Sequence, residues 1–375
     1  MKKLFFIAAI AGAALVSCTK NELAPSVTEQ QEISFAAPVM SPATKVAEIA
    51  NHYPTDSQFA VWAHYYEGDY SNFAAGVRYM NEVTVAHNST VKGWKNATPY
   101  YWPKNGTLTF IAYSPSSVAA YADVDEEGIN FTDYVVDTDV AKQTDLLFSE
   151  RAYNKVEVDQ ATSAADPYAG VQINFKHALS SILFKVKAAE TYTGTTLKVT
   201  KIEVLNAYSQ GDFTQGLADS NGAVTGATVG GVETKAVWSD YAAETTYVAY
   251  ENATGLVLTN ADVYAHNGTA TKTENTTDLI LLPQSLAHTA TTNNVSLRVT
   301  YTLQNADMTE AITQVATVSL ATGFTTGTDP ETDVTAWEIG KRYTYTISVG
   351  LGEIYFDPLV EAWDDNVVTP DVSVN

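Results

Sequence analysis

The residues able to do chemistry do not gather in this sequence. The six histidines, His52, His64, His87, His177, His266 and His288, are scattered, with no His-Glu-x-x-His arrangement and no spacing that places two of them as metal ligands. His177 reads most simply as a core or turn residue. Asp123, Asp125, Glu127 and Gly128 imitate the opening of a calcium loop, where alternating carboxylates and a glycine at the sharp turn wrap a hard cation. The position that must supply a bidentate glutamate is Tyr134, so the pattern breaks where affinity is decided. The adjacent carboxylates Glu126-Glu127 and Asp364-Asp365 point apart on an extended chain and read as solvated faces rather than an acid/base pair. Trp62, Trp94, Tyr100, Tyr101 and Trp102 suit either a platform for sugar rings or core packing, and core packing is the stronger reading. No metal or other cofactor is expected, and an enzyme is disfavoured.

The elements that would carry such residues are set by composition. The chain has 375 residues, 45% hydrophobic and 17% charged, which gives ample core material and too little charge for a disordered chain. Its net charge of −22 repels phosphate backbones and anionic lipid surfaces, so nucleic acid is excluded as a partner. With 22 Tyr against 13 Phe and 6 Trp, and abundant Thr, the composition favours pleated, half-buried surfaces and an all-β fold.

The single cysteine rules out an intrachain disulfide. It follows a short basic start, Met1-Lys2-Lys3, and an apolar stretch from Leu4 to Val16. That stretch is shorter than the roughly 20 residues of a membrane span and suits the apolar region of a signal peptide. Leu15-Val16-Ser17-Cys18 resembles a bacterial lipobox, so residues 1–17 are expected to be a lipoprotein signal peptide and Cys18 the lipidated residue, with acyl chains as the anchor. Thr19 to Gln30 is polar, contains Pro25 and reads as a tether.

Strict alternation marks strands farther on. Val295, Leu297, Val299, Tyr301 and Leu303 share one face, as do Tyr343, Tyr345, Ile347 and Val349. Phe59, Val61, Ala63 and Tyr65 form another, and Leu108, Phe110 and Ala112 a fourth, preceded by turn-forming Pro103, Asn105 and Gly106. Phe175, Ala178, Leu179, Ile182, Leu183 and Val186 fit a helical stripe, while Ile182, Phe184 and Val186 also alternate with lysines; a helical turn running into a strand is expected there. Gly/Ser/Asp/Thr-rich stretches at 208–240 and 321–336 read as surface loops. Strands so spaced suggest sandwiches, and the length suggests two β domains dividing near 150–180.

An ordered series of short motifs goes further. Ile33-Ser34-Phe35 is followed by Tyr100-Tyr101-Trp102-Pro103 leading to Leu108-Thr109-Phe110-Ile111-Ala112-Tyr113-Ser114-Pro115, then Asp145-Leu146-Leu147, Phe175-Lys176-His177-Ala178-Leu179 and Leu281-Leu282-Pro283-Gln284. The series ends with Trp337-Glu338-Ile339-Gly340-Lys341-Arg342-Tyr343-Thr344-Tyr345, Ile354-Tyr355-Phe356-Asp357-Pro358 and Trp363. In this order, with the lipobox, the chain resembles the fimbrillin family of type V pilin subunits, surface lipoproteins of Gram-negative anaerobes.

That resemblance implies an all-β fold of two transthyretin-like seven-stranded β-sandwich domains in tandem. It divides the chain into a signal peptide at 1–17, a lipidated tether with the first strand and propeptide at 18–45, an N-terminal sandwich at 46–170 and a C-terminal sandwich at 171–375. In the family an Arg- or Lys-specific protease removes the anchor together with the first strand, and the matching residue here is Lys45. Without the resemblance Lys45 is an ordinary exposed lysine. Removing Ile33 to Val39 would leave a groove of unpaired backbone and apolar side chains, which a strand from a neighbour would fill.

The candidate donor is 354–374, carrying Ile354, Phe356, Leu359, Val360 and Trp363, with Val367, Val368, Val372 and Val374 beyond; these residues also read as the last strands of their own domain. The implied partners are other fimbrial subunits, as homo- or heteropolymer, and the outer membrane through the lipid anchor, with room for host or bacterial surface ligands. The rival reading is a monomeric, lipid-anchored adhesin or glycan-binding lipoprotein, including a fimbrial tip subunit.

Overall fold

The computed structural model describes residues 31–36, 38–40, 51–70, 76–90, 93–124, 128–157, 170–215, 236–266, 279–288, 293–322, 334–351 and 354–363. Cys18, Lys45 and residues 364–374 lie outside the described residues. The fold is all-β. Its strands are β1 (Val39–Met40), β2 (Asn51–His52), β3 (Gln58–Tyr66), β4 (Val77–Asn88), β5 (Gly93–Asn96), β6 (Thr107–Ser114), β7 (Ala122–Val124), β8 (Ile129–Val135), β9 (Leu147–Ser149) and β10 (Ala152–Lys155). They continue with β11 (Asn174–His177), β12 (Ser180–Ala188), β13 (Thr195–Gln215), β14 (Ala236–Val257), β15 (Val263–Tyr264), β16 (Leu279–Leu281), β17 (Ser296–Asn305), β18 (Ile312–Ser319), β19 (Lys341–Val349) and β20 (Ile354–Ala362). Among the described residues, no helix is long and apolar enough to cross a membrane.

Three sheets form. The first has nine strands in the order β2-β1-β11-β9-β6-β3-β4-β5, with β10 on β6. The second has five, β15-β12-β19-β20 with β16 on β12, and the third six, β18-β17-β13-β8-β7 with β14 on β13. The alternating faces read from the sequence enter two apolar cores. Phe59, Val61, Ala63, Leu108, Phe110 and Ala112 line a smaller core inside the first sheet, and Leu297, Val299, Tyr301, Tyr343, Tyr345 and Ile347 line a larger one between the other two sheets.

The intervening residues of β3 and β6 are buried too. Ala60, Trp62, Ile111 and Tyr113 belong to the larger core, where the Tyr113 ring meets Phe131 of β8 edge-on at 5.5 Å. These two central strands therefore form a wall between the cores, with neither face left to water, unlike the half-buried strands that alternation suggests. Two pairings cross the 170/171 division read from the sequence. β11 pairs with β9 in the first sheet, and β8 pairs with the far end of β13 in the third.

Other expectations change. Phe175 to Val186 contains no helical turn: β11 ends at His177, the chain bends at Ala178 and Leu179, and β12 begins at Ser180 in another sheet. Ala178 and Leu179 are buried on both sides of that crossing, which makes the apolar pattern look helical. Within 208–240, β13 runs to Gln215 and β14 starts at Ala236, so both ends of the expected loop are strand; 216–235, like 323–333 of the other loop, lies outside the described residues.

Candidate strand-exchange site

The first sheet is closed by a short extended segment, Gln31–Ala36. On one side the Ile33 and Phe35 amides donate to the carbonyls of Tyr100 (2.8 Å) and Trp94 (2.9 Å), while the Trp94 and Trp102 amides donate to those of Phe35 and Gln31. On the other side the Ala36 amide donates to the Val171 carbonyl (3.0 Å) and the Val171 amide to the Ser34 carbonyl (2.8 Å). Phe35 is thus bridged antiparallel to Trp94 and parallel to Val171, joining the β5 edge to the stretch that leads into β11. A few residues on, β1 pairs parallel with β11 and antiparallel with β2. The sheet is a ring, and residues 31–36 are the piece that completes it.

The side chains complete the core as the backbone completes the ring. Ile33 and Phe35 have no exposed surface, and Met40 is buried. The Phe35 ring lies edge-on to Phe59 (5.9 Å) and Phe110 (5.7 Å). Gly170, at φ +132°, lets the chain pass directly against this segment. A Cβ there would sit 2.4 Å from the Phe35 carbonyl carbon and 2.6 Å from the Ala36 nitrogen, both backbone atoms with nowhere to go. Tyr53 packs beneath, against Trp94, Phe59 and Phe175, with its hydroxyl 2.5 Å from Ser114 Oγ. Burial pushes that phenol up to about 12. At the rim, Lys95 Nζ and Glu32 Oε2 form an ion pair at 2.8 Å.

The other end of the chain also sits in a sheet. β20 pairs antiparallel with β19 along its whole length, from Val349 opposite Ile354 to Lys341 opposite Ala362. Ile354 is half-buried against the larger core, Phe356 and Leu359 stand opposite Ile347 and Thr344, and Val360 is exposed opposite Tyr343. Trp363 is buried. Its amide donates to the Gly340 carbonyl (3.0 Å), and its indole stacks on the His177 imidazole, centroids 4.0 Å apart and planes 8° from parallel. His177 Nδ1 in turn lies 2.8 Å from Asp145 Oδ2. His177 is the buried residue the sequence suggested, and it ties the end of β20 to β11. Sequence reasoning missed this tie and the close approach at Gly170, since neither pairing leaves a local pattern.

The aromatic platform does not assemble. Trp62, Trp94 and Trp102 are interior, and of its five rings only Tyr101 is exposed, with Tyr100 half-buried beside Tyr79. Among the described residues no three His, Cys, Asp or Glu side chains gather as metal ligands.

The described residues thus form a β-ring completed by an N-terminal segment and a second β-core that holds the C-terminal strand. The match of a fimbrillin-like family profile to residues 44–363 makes the kinship definite: the chain belongs to the fimbrillin-like family. No curated protein matches it. Among solved structures, the chain is similar to a fimbrial protein from Bacteroides vulgatus, with 14% identity, a TM-score of 0.53 and coverage of 89% of this chain and 99% of that one. It is also similar to the tip fimbrial protein Mfa3 from Porphyromonas gingivalis with C-terminal truncation, at 9% identity and a TM-score of 0.35, covering 89% of this chain and all of that one.

Proposed function

We propose that this protein is a structural subunit of a cell-surface fimbrium, exported as an outer-membrane lipoprotein through Cys18 and polymerised by proteolysis-triggered strand exchange. One observation carries the reading. Residues 31–36 complete the first sheet with hydrogen bonds on both sides, β1 continues between β11 and β2, and Lys45 falls in sequence between β1 and β2. A cut there would detach the acylated tether and the closing segment together and leave two facing rows of unpaired backbone above an apolar floor. A strand from a second subunit restores both, and head-to-tail donation grows a filament because it does not close. The segment 354–374, with Ile354, Phe356, Leu359, Val360 and Trp363, is the donor in this reading, and adhesion rather than catalysis is the outcome. The groove so opened would be walled by β5 on one side and by Val171 and β11 on the other, so acceptor residues come from both sides of the 170/171 division.

A second reading, a monomeric lipid-anchored adhesin or tip subunit, is favoured by one observation. Ile354 to Ala362 is already paired with the chain's own β19, and Trp363 is buried against His177. Mild trypsin treatment of the precursor, followed by electron microscopy and heat-sensitive gel ladders, separates the two. Filaments that form from the wild-type chain and are lost with Lys45→Ala support the pilin. Trimmed chains that stay single overturn it in favour of the adhesin.

A further inference from the structure

β18 is an edge strand without the usual protection. It pairs with β17 on one side, from Leu303 opposite Ile312 to Ser296 opposite Ser319, and among the described residues no strand pairs with its other side. Its sequence, Ile312-Thr313-Gln314-Val315-Ala316-Thr317-Val318-Ser319, holds no charge, proline or glycine and is rich in β-branched residues. Edges of soluble proteins are ordinarily blunted by charge, proline, bulges or short length. The other long edges here follow that rule: β20 carries Asp357, Pro358 and Glu361, and β14 carries Asp240, Glu244 and Glu251.

β18 also overhangs the core. Ile312 (48%) and Val315 (59%) are among the most exposed large apolar side chains, although they lie on opposite faces of the strand.

We propose that β18 is a docking surface for a second copy of this chain, the two β18 strands pairing antiparallel about a two-fold axis so that their six-stranded sheets become one continuous sheet. Charge selects this occupant. A chain carrying −22 repels its own copies over most of its surface, and β18 is a long stretch of edge where two copies meet without opposing charges. A cationic partner would find nothing on the strand to recognise. A two-fold axis perpendicular to the sheet keeps like faces together, so odd-numbered residues face odd-numbered ones. Centred on Val315, the register sets Val315 opposite its own copy, Thr313 opposite Thr317, Gln314 opposite Ala316 and Ile312 opposite Val318, all compatible cross-strand pairs.

An eight-residue edge is about 27 Å long, and it covers less than the roughly 1,200 Å² of a standard stable interface. Free chains therefore associate weakly. If the proposed function holds, subunits repeated along two filaments multiply the contact, and β18 binds fimbriae side by side.

The test uses the uncut full chain, with Cys18→Ser so that no acyl group drives association; it therefore stands or falls independently of strand exchange. Sedimentation equilibrium from about 10 µM to 1 mM is expected to show a monomer–dimer equilibrium. Val315→Lys and Val315→Glu each place like charges face to face and weaken it at least about tenfold. The equimolar mixture of the two variants restores it, since Lys then faces Glu, a result that a foreign partner or a general loss of folding does not give. The exposure of Val315 keeps each variant folded, which circular dichroism checks. A chain that stays monomeric throughout, a dimer indifferent to both variants, or β18 amides protected from exchange in the dilute monomer, which would assign the edge to the chain's own tail, overturns the proposal.

Discussion

Phe35→Ala is expected to destabilise the precursor and to leave the trimmed product untouched. Phe35 has no exposed surface, meets Phe59 and Phe110 edge-on, and sits in a segment pinned by hydrogen bonds on both sides, so the space it leaves has little freedom to collapse. Buried Phe→Ala changes cost about 3–5 kcal/mol, and in a domain of about 150–250 residues each kcal/mol moves the melting temperature by about 2–4 °C. The uncut variant should therefore melt roughly 6–20 °C below wild type by calorimetry or circular dichroism. If the proposed cleavage at Lys45 removes the segment, the substituted residue goes with it, and the trimmed chains of variant and wild type should melt alike and polymerise alike. An uncut variant within about 2 °C of wild type would show that residues 31–36 do not complete the core. A difference that survived trimming would show that the segment stays with the folded chain after the cut.

Gly170→Ala should destabilise the precursor by at least about 1–3 kcal/mol from backbone strain alone, with the clash against Phe35 and Ala36 in addition; chemical denaturation with an unchanged m-value checks it. His64 is buried, and desolvation with Arg78 nearby lowers its imidazole to about 4. The unfolded chain then takes up a proton between pH 6.5 and 4 that the folded chain refuses, so stability falls across that window, by up to about 3 kcal/mol, and is unaffected by this group above it. Melting curves of His64→Gln should be flatter than wild type over that range. Trp363→Ala removes the stack on His177 and should speed amide exchange along β20 at least about tenfold relative to β19's partner strand β12; equal exchange would mean that β20 is held by its ladder alone.

Much of the fold was open to a reader of the sequence wherever one face is wet. β17 follows its alternation because a single face enters the larger core, and β19 keeps its apolar alternation although Arg342 and Thr344 on its other face are buried as well. β3 and β6 conceal their role, since period-two reasoning assigns only Phe59, Val61, Ala63, Leu108, Phe110 and Ala112, while Ala60, Trp62, Ile111 and Tyr113 are equally buried on the other side. The stretch from Phe175 to Val186 misleads for a related reason, as a crossing between two sheets buries consecutive residues and copies a helical stripe. At the candidate site, Ile33-Ser34-Phe35 was recognisable as a first strand through its family resemblance. That it closes a ring depends on contacts with Trp94, Tyr100 and Val171, which distant parts of the chain supply. The Asp145, His177 and Trp363 contact is equally non-local, and no spacing announces it.

The double-sided burial of β3 and β6 limits how this molecule tolerates sequence drift. On an ordinary outer strand every second position accepts a polar replacement at little cost. Between Phe59 and Ala63, and between Phe110 and Tyr113, a new polar side chain has an apolar core to enter whichever way it turns. Polar substitutions are therefore expected to be tolerated at outlying loops and edges rather than at these doubly covered positions, so surface chemistry can change while the partition between the two cores stays put.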